Sequence, residues 1–364
     1  MERTVPVDLG RRSYQVRVGA GLLAELGPAV AAAAGDATSA VVVTDSTVAD
    51  LYARPAAESM EAVGPVAVID FPAGEANKTL ATASQVLDKL FAVRPAIDRS
   101  TVIVTVGGGV VGDLGGFVAA VALRGVRFFQ CPTTLLADVD VSVGGKTGVD
   151  HPAGKNLIGA FHQPVGVLID VATLRTLPAA ELSSGLAECV KHAVIRDASL
   201  LDFLEDHAAD VLACRQELMA ELVARNVEIK SAVVSADERE AGERAHLNFG
   251  HTIGHAVEAF AGYGGLGHGQ AVALGMVAAC RIAVSRGLLE QESAERVEGL
   301  LARLHLPVRR PALDAEAIWQ IMLHDKKTRG GQVRMVLPVM LGAAAMFDDV
   351  TPQSVRDALE YLSG

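Results

Sequence analysis

A run of five β-branched residues, Val102 to Val106, followed at once by Gly107, Gly108, Gly109 and Gly112, constrains this chain more than any other stretch. A strand with no polar alternation is buried on both faces, which is the habit of parallel sheets. Gly107, Gly109 and Gly112 have GxGxxG spacing at a strand-to-helix junction, where backbone N–H groups at a helix N-terminus can cradle a diphosphate. The dinucleotide fingerprint is incomplete. The motif lies on a later βα unit, and no strand-end acid follows about 20 residues on. Asp45, after an upstream strand, and Glu75 with Lys78, after the next, are the better ribose-side candidates. A glycine turn made only for tight packing would look the same.

Around this junction, strand patterns at 4–9, 14–18, 39–43, 66–71, 101–106, 127–131 and 165–169 are interleaved with helical ones at 22–34, 79–93 and 112–122. That alternation predicts βαβ units: an α/β, Rossmann-like, mostly parallel sheet with helices on both faces. From about residue 172 the pattern turns helical through residue 323, and strand signal returns only at 334–339. The expected division is an α/β domain over 1–172 and a mainly α-helical domain over 173–364, with a small-molecule site in a cleft between them. Residues 132–163 read as a polar loop. Lys146 in GGKTG and Lys155 in AGKNLIGAF are glycine-flanked and suited to an anion. GGKTG is not a Walker motif, because Asp140 stands where its first glycine belongs.

The net charge of −11 disfavours nucleic-acid and anionic-membrane binding, yet a local cation cluster can still receive an anionic substrate. Cys131, Cys189, Cys214 and Cys280 form no CxxC pair and read as reduced thiols. No signal-peptide pattern or membrane-length apolar run is evident, so the expected compartment is the cytoplasm.

The helical half carries its own chemistry. His251 and His255, four apart, share a helix face, and His268 follows a glycine-rich turn. HxxxH with a later histidine is a metal-ligand pattern, and Thr252 after His251 excludes the HExxH of a zincin. Glu188 is a candidate carboxylate ligand. Lys191, three residues on, would point into the same space; the plain alternative is a surface i,i+3 pair. Arg124, Lys230, Arg244 and Lys326 are further cations that sequence alone would leave on the surface.

GGGVVGDLGGFVAA, RGVRFFQCPTTLLADVDVSVGGKTGVDHPAGKNLIGAFHQP, SGLAECVKHAVI, DEREAGERAHLNFGHTIGHAVE and DKKTRGG, in this order and over nearly the whole chain, resemble the successive motifs of the 3-dehydroquinate synthases, a family of sugar phosphate cyclases. The resemblance implies Zn²⁺ or Co²⁺ on Glu188, His251 and His268, with His255 on the substrate side. It implies NAD against Asp45, Glu75, Lys78, Gly109, Val110, Val111, Gly112, Asp113, Thr133, Thr134, Lys146, Lys155, Thr173, Leu174, Arg175 and Thr176. Asp140, Lys146, Asn156, Lys191, Lys230, Arg244, Asn248, His255 and Lys326 would surround the substrate, and Arg124 would be donated across a homodimer interface. Three positions depart from the family pattern: Val141 replaces a serine, and Gly267 and Gln270 alter LHGEAVA. The glutamine removes a charge next to His268.

The activity so implied converts 3-deoxy-D-arabino-heptulosonate 7-phosphate to 3-dehydroquinate and phosphate. Oxidation at C5 acidifies the neighbouring C–H, phosphate leaves by elimination, the ketone is reduced again, and an aldol closure forms the ring. NAD is regenerated. Related cyclases making amino-dehydroquinate, valiolone or inosose rings, and a metal-dependent polyol dehydrogenase, are the alternatives.

Overall fold

The computed structural model describes residues 2–240, 242–262, 265–324 and 333–364. The chain divides into two compact units, residues 1–177 with 216–235, and residues 178–215 with 236–364. Lys326 lies outside the described residues.

The first unit begins with β1 (Arg3–Val7), β2 (Tyr14–Gly19), α1 (Leu26–Ala34), β3 (Ser39–Asp45), α2 (Arg54–Ser59), β4 (Val66–Phe71) and α3 (Leu80–Ala92). It continues with β5 (Thr101–Gly107), α4 (Gly109–Val121), β6 (Arg127–Pro132), β7 (Lys146–His151), β8 (Gly154–Phe161) and β9 (Val167–Asp170). The main sheet has the order β1-β2-β9-β6-β5-β3-β4. Only β1 and β2 pair antiparallel; every other neighbour in this sheet is parallel. The β5 run is buried at every position, as its composition requires. Alternate residues feed two cores. Val102, Val104 and Val106 face α1 and α2, packing with Leu26, Val30 and Met60. Ile103 faces α3 and α4, packing with Val86, Leu90, Leu114 and Val118. The sheet is thus covered on both faces.

Two local differences from the sequence reading bear on the site. Residues 146–161 are not a polar loop but a hairpin, in which β7 and β8 pair antiparallel from Lys146↔Phe161 to His151↔Gly154 with one irregularity. The first unit also includes most of the helix Gln216–Ala236, which the helical pattern assigns to the second half. The Oγ of Ser231 donates to the carbonyl of Pro6 at 2.5 Å, the N–H of Asp8 donates to Ser235 Oγ at 3.1 Å, and Arg3 pairs with Glu221. Helical periodicity says which face is apolar, not which sheet that face meets.

The second unit holds α5 (Ala179–Arg196) and α6 (Ala198–Leu212) before that long helix, α7 (Gln216–Ala236). After it come α8 (His251–Ala261), α9 (His268–Ser285), α10 (Gln291–Arg303), α11 (Ala315–His324), the antiparallel pair β10 (Met335–Met340) and β11 (Ala343–Phe347), and α12 (Pro352–Ser363). Helix α9 is the axis of this unit, packed by α5, α8, α10 and α12. Glycine makes the closest approaches possible. A Cβ at Gly269 would lie 2.4 Å from Ser184 Cα of α5, and one at Gly275 would lie 1.9 Å from the carbonyl oxygen of Gly250. No helix among the described residues is long and apolar enough to cross a membrane.

Candidate active site

The second unit brings a carboxylate and three imidazoles together. Glu188 is fully buried on α5, one turn before Lys191, which is 1 % exposed. The surface-pair alternative for these two therefore fails. Glu188 Oε1 lies 3.4 Å from His251 Nε2 and 3.6 Å from His268 Nε2, and Oε2 is ion-paired with Lys191. Neither oxygen has a hydrogen bond of ordinary geometry among the described residues. An isolated buried carboxylate in that condition is costly, and cations remove the cost. One carboxylate oxygen and two imidazole nitrogens within 4.8 Å of one another make a three-donor set of the kind that holds a catalytic divalent metal. His255 stands on the same face of α8 as His251, with ring centroids 5.2 Å apart and edge-on.

The electrostatics follow from this enclosure. Burial pushes the Glu188 carboxyl up, but Lys191 and the imidazoles outweigh it and hold it well below the usual range. Burial pushes His251 down, with Glu188 opposing. For His268 burial acts in the same direction, but the carboxylates of Glu188 and Glu258 prevail and push it up to about 9. Gln270, the departure noted in the sequence, does not face this imidazole as a replacement acceptor. Its Oε1 accepts from the N–H of Gly267 at 3.0 Å and caps α9. The carboxylate at His268 Nδ1, 3.6 Å away, is that of Glu258. Sequence reading passed over Glu258, although its spacing of three from His255 and seven from His251 puts it on their helix face.

Beside this cluster the second unit places Arg244 and Asn248 in a short 3₁₀ segment, Glu243–Asn248. Arg244 is 3 % exposed and donates from Nη1 to the Glu238 carbonyl at 2.5 Å. Asn248 Nδ2 donates to Glu240 Oε1 at 2.9 Å.

The first unit gathers most of the other expected residues at the carboxyl ends of its parallel strands, where ligands of open α/β sheets bind. The helix α4 starts at Gly109 with no side-chain cap on its N-terminus. The N–H groups of Gly109, Val110 and Val111 are therefore available to an anion in the way a diphosphate requires. Thr133 adjoins this turn, its N–H donating to the Gly107 carbonyl at 3.0 Å, and Thr134 Oγ1 accepts from Ala137 N–H at 3.2 Å. Asp45 closes its own turn, with Oδ1 accepting from Thr47 and Val48 N–H at 2.8 and 3.0 Å. Glu75 is exposed and Leu174 is fully buried. Thr173 and Thr176 are tied to Tyr52, whose hydroxyl lies 3.1 Å from the Thr173 carbonyl and 2.6 Å from Thr176 Oγ1, while Arg175 is exposed.

Lys78 shows the tightest local arrangement. It is 4 % exposed, and its Nζ donates to Asp113 Oδ2 at 2.5 Å and Asn156 Oδ1 at 2.6 Å. Burial pushes the Asp113 carboxyl up, with Lys78 opposing. With Oδ1 so engaged, Asn156 presents its NH₂ as an anion donor. Gly112 and Asp113 lie in the first two turns of α4. Lys146 and Lys155 are exposed on the hairpin. Asp140 pairs with Lys230 of α7, Oδ1–Nζ 2.5 Å. Val141, the serine departure, is half-buried, with its Cγ2 3.3 Å from where a Cβ on Gly109 would stand. Arg124 is exposed in a turn where Leu123, Arg124 and Gly125 all have positive φ (50°, 66° and 113°). Sequence reading also missed Asp138, fully buried with neither oxygen hydrogen-bonded among the described residues.

Comparison with known proteins accords with these elements. Residues 68–184 match the family profile 3-dehydroquinate synthase N-terminal, and residues 185–328 match 3-dehydroquinate synthase C-terminal. The 3-dehydroquinate synthase of Symbiobacterium thermophilum is 47 % identical over 359 residues, 98 % of this chain and 99 % of that protein. Among solved structures, the 2-epi-5-epi-valiolone synthase ValA of Streptomyces hygroscopicus subsp. jinggangensis, with NAD⁺ and Zn²⁺ bound, superposes with a TM-score of 0.88 at 31 % identity, over 98 % of both chains. A 2-deoxy-scyllo-inosose synthase complexed with carbaglucose-6-phosphate, NAD⁺ and Co²⁺ has a TM-score of 0.89 at 27 % identity, over 99 % of this chain and 100 % of that one. The chain belongs to the 3-dehydroquinate synthase family.

Proposed function

We infer that this chain is an enzyme that converts 3-deoxy-D-arabino-heptulosonate 7-phosphate to 3-dehydroquinate and phosphate, with NAD and Zn²⁺ or Co²⁺ as cofactors. The observation that carries this reading is the buried donor set of Glu188, His251 and His268 with Lys191 beside it, in a chain of this family. Glu188, His251 and His268 would hold the metal, which would supply Lewis-acid polarisation of a substrate hydroxyl, and the N-terminus of α4 would hold NAD, which would supply reversible hydride transfer.

The chain's own residues do the rest. Lys191 and the imidazoles keep Glu188 ionised as a ligand. His251 and His268 supply the remaining protein ligands. The bare N-terminus of α4 and the threonines 133 and 134 receive the cofactor, with Asp45, Glu75, Lys155 and the segment 173–176 around it. Lys146, Lys191, His255 and the Asn156 amide hold the phosphate, and a phosphate oxygen takes the C6 proton as the leaving group departs. Arg244 suits the substrate carboxylate by bidentate pairing, with Lys326 as a second cation. Asp140, Lys230 and Asn248 complete the substrate wall. A partner subunit contributes Arg124 in a homodimer, and the exposure of this residue favours that use. Holding one flexible substrate through several steps is chiefly positioning work.

The test is an incubation of metal-loaded protein with the heptulosonate phosphate and NAD, following phosphate and NADH together. Phosphate release without accumulating NADH is expected. Steady NADH production without phosphate would identify a polyol dehydrogenase instead. Mass analysis of the product separates dehydroquinate from an amino or valiolone-type ring. His251→Ala should lose activity that the same concentration of Zn²⁺ or Co²⁺ does not restore.

A further inference from the structure

We propose that Glu258 is the positioning residue for His268, holding its imidazole so that Nε2 faces the metal. The proposal rests on the metal assignment made above. Each of the two histidines in the donor set has an oxygen within 4 Å of both ring nitrogens. His251 turns Nε2 toward Glu188 at 3.4 Å, and its Nδ1 lies 3.0 Å from the carbonyl oxygen of Phe249. His268 turns Nε2 toward the same Glu188 oxygen at 3.6 Å, and its Nδ1 lies 3.6 Å from Glu258 Oε2. The placement is parallel, with a carboxylate ion-pair contact at 3.6 Å where His251 has a backbone hydrogen bond at 3.0 Å.

An acceptor at Nδ1 does two things. It places the proton on that nitrogen, which leaves the Nε2 lone pair for a metal, and it fixes a ring torsion that is otherwise soft. His268 needs this more than His251. Its side chain is 31 % exposed against 12 %, and it is the first residue of α9, with no preceding helical turn to pack it. Gln270 is committed to the Gly267 N–H and leaves the task to Glu258. Glu258 can do it because α8 carries it two turns beyond His251, on the face that already meets Glu188. One other arrangement of the same atoms exists: His255, Glu258 and His268 also bring three donors within 4.8 Å of one another, which would make Glu258 a ligand itself.

The experiment compares the parent protein with Glu258→Gln, Glu258→Ala, His251→Ala and Glu188→Gln. Zn²⁺ and Co²⁺ affinities are measured against a chromophoric chelator, and the visible absorption of the Co²⁺ forms is recorded. Circular dichroism melts check folding. Glu258→Ala should bind about 10- to 100-fold more weakly, the range for loss of an outer partner of a ligating histidine. Glu258→Gln, which keeps an acceptor oxygen, should lose less and shift the Co²⁺ bands less. Unchanged affinity and spectrum in both Glu258 variants would overturn the proposal. So would a loss in Glu258→Gln as complete as in His251→Ala, which would make Glu258 a ligand. If Glu258→Ala unfolds, the isosteric glutamine carries the test. Parent-like metal binding in His251→Ala and Glu188→Gln would instead sink the metal assignment itself, whatever Glu258 does.

Discussion

Lys230, in the second half of α7, reaches Asp140 across 90 residues of sequence, with Nζ and Oδ1 2.5 Å apart. The lysine is almost wholly buried and the aspartate about a third exposed. The pair fastens a helix from the helical half of the sequence to the segment between β6 and β7. Removing one partner leaves a charge in a poor environment. Lys230→Met and Asp140→Asn should each destabilise by about 1–3 kcal/mol, and the double variant by less than their sum, giving a coupling of about 1 kcal/mol in urea titrations. Strictly additive costs would show that the two groups do not act on one another.

A second expectation concerns Lys78. Lys78→Met strands the half-buried Asp113 carboxyl and releases Asn156, so it should weaken both stability and NAD affinity. An approximately tenfold rise in the NAD dissociation constant, read by calorimetry, corresponds to about 1.4 kcal/mol. Pairing it with Asp113→Leu should recover stability, because the orphaned acid is gone, but not cofactor affinity. Recovery of both would mean that Lys78 acts only on folding.

Asp138 supplies the pH prediction. Its oxygens have no hydrogen bond among the described residues, and burial, with Asp170 nearby, pushes its carboxyl well above the usual range. A folded acid with a raised value holds its proton more tightly than the unfolded chain does. Its contribution is favourable below the unfolded value near 4 and is lost as pH rises from there toward the folded value. Asp138→Asn removes that slope. The variant should gain on the parent as pH goes from about 4 to 8, by roughly 1–3 kcal/mol at the top, the cost of one unsatisfied buried group. A gap in melting temperature that is the same at every pH would refute this.

The turn at Leu123 and Arg124 gives the fourth. Two successive side-chain-bearing residues in left-handed backbone cost about 1–2 kcal/mol each. Leu123→Gly and Arg124→Gly should both raise the melting temperature, since glycine adopts this conformation freely. Only Arg124→Gly should lower kcat/KM. Equal activity in the two variants would remove Arg124 from the site.

Much of the first unit could be read directly, because short runs rich in β-branched residues have few other uses, and β3 and β5 are such runs. The hairpin at 146–161 escaped because Gly148, Gly154 and Gly159 interrupt its alternation, and because only Thr147 to Val149 of β7 are buried while β8 has no buried residue. The place of α7 escaped for a different reason: periodicity does not name a partner. Glu188 and the histidines announced themselves by residue type and spacing. Asp138 could not, since nothing local distinguishes a buried acid in a short helical turn from an exposed one. Glu258 could have been found from its spacing, but an acid on a helix is ordinarily solvated.

The dispersed make-up of the first unit sets a timetable for its synthesis. Strand β2 must wait about 150 residues for β9, its parallel neighbour, and β1 must wait longer still for the α7 residues that bond to Pro6 and Asp8. Helices α5 and α6 therefore emerge after the last strand of the main sheet but before the α7 residues that bond to Pro6 and Asp8. At roughly 5–20 residues per second, the N-terminal strands stay without their final neighbours for many seconds. An edge left unpaired for that long is where premature chain termination would do most harm. Fragments ending before residue 167, which lack β9, should therefore be found in the insoluble fraction.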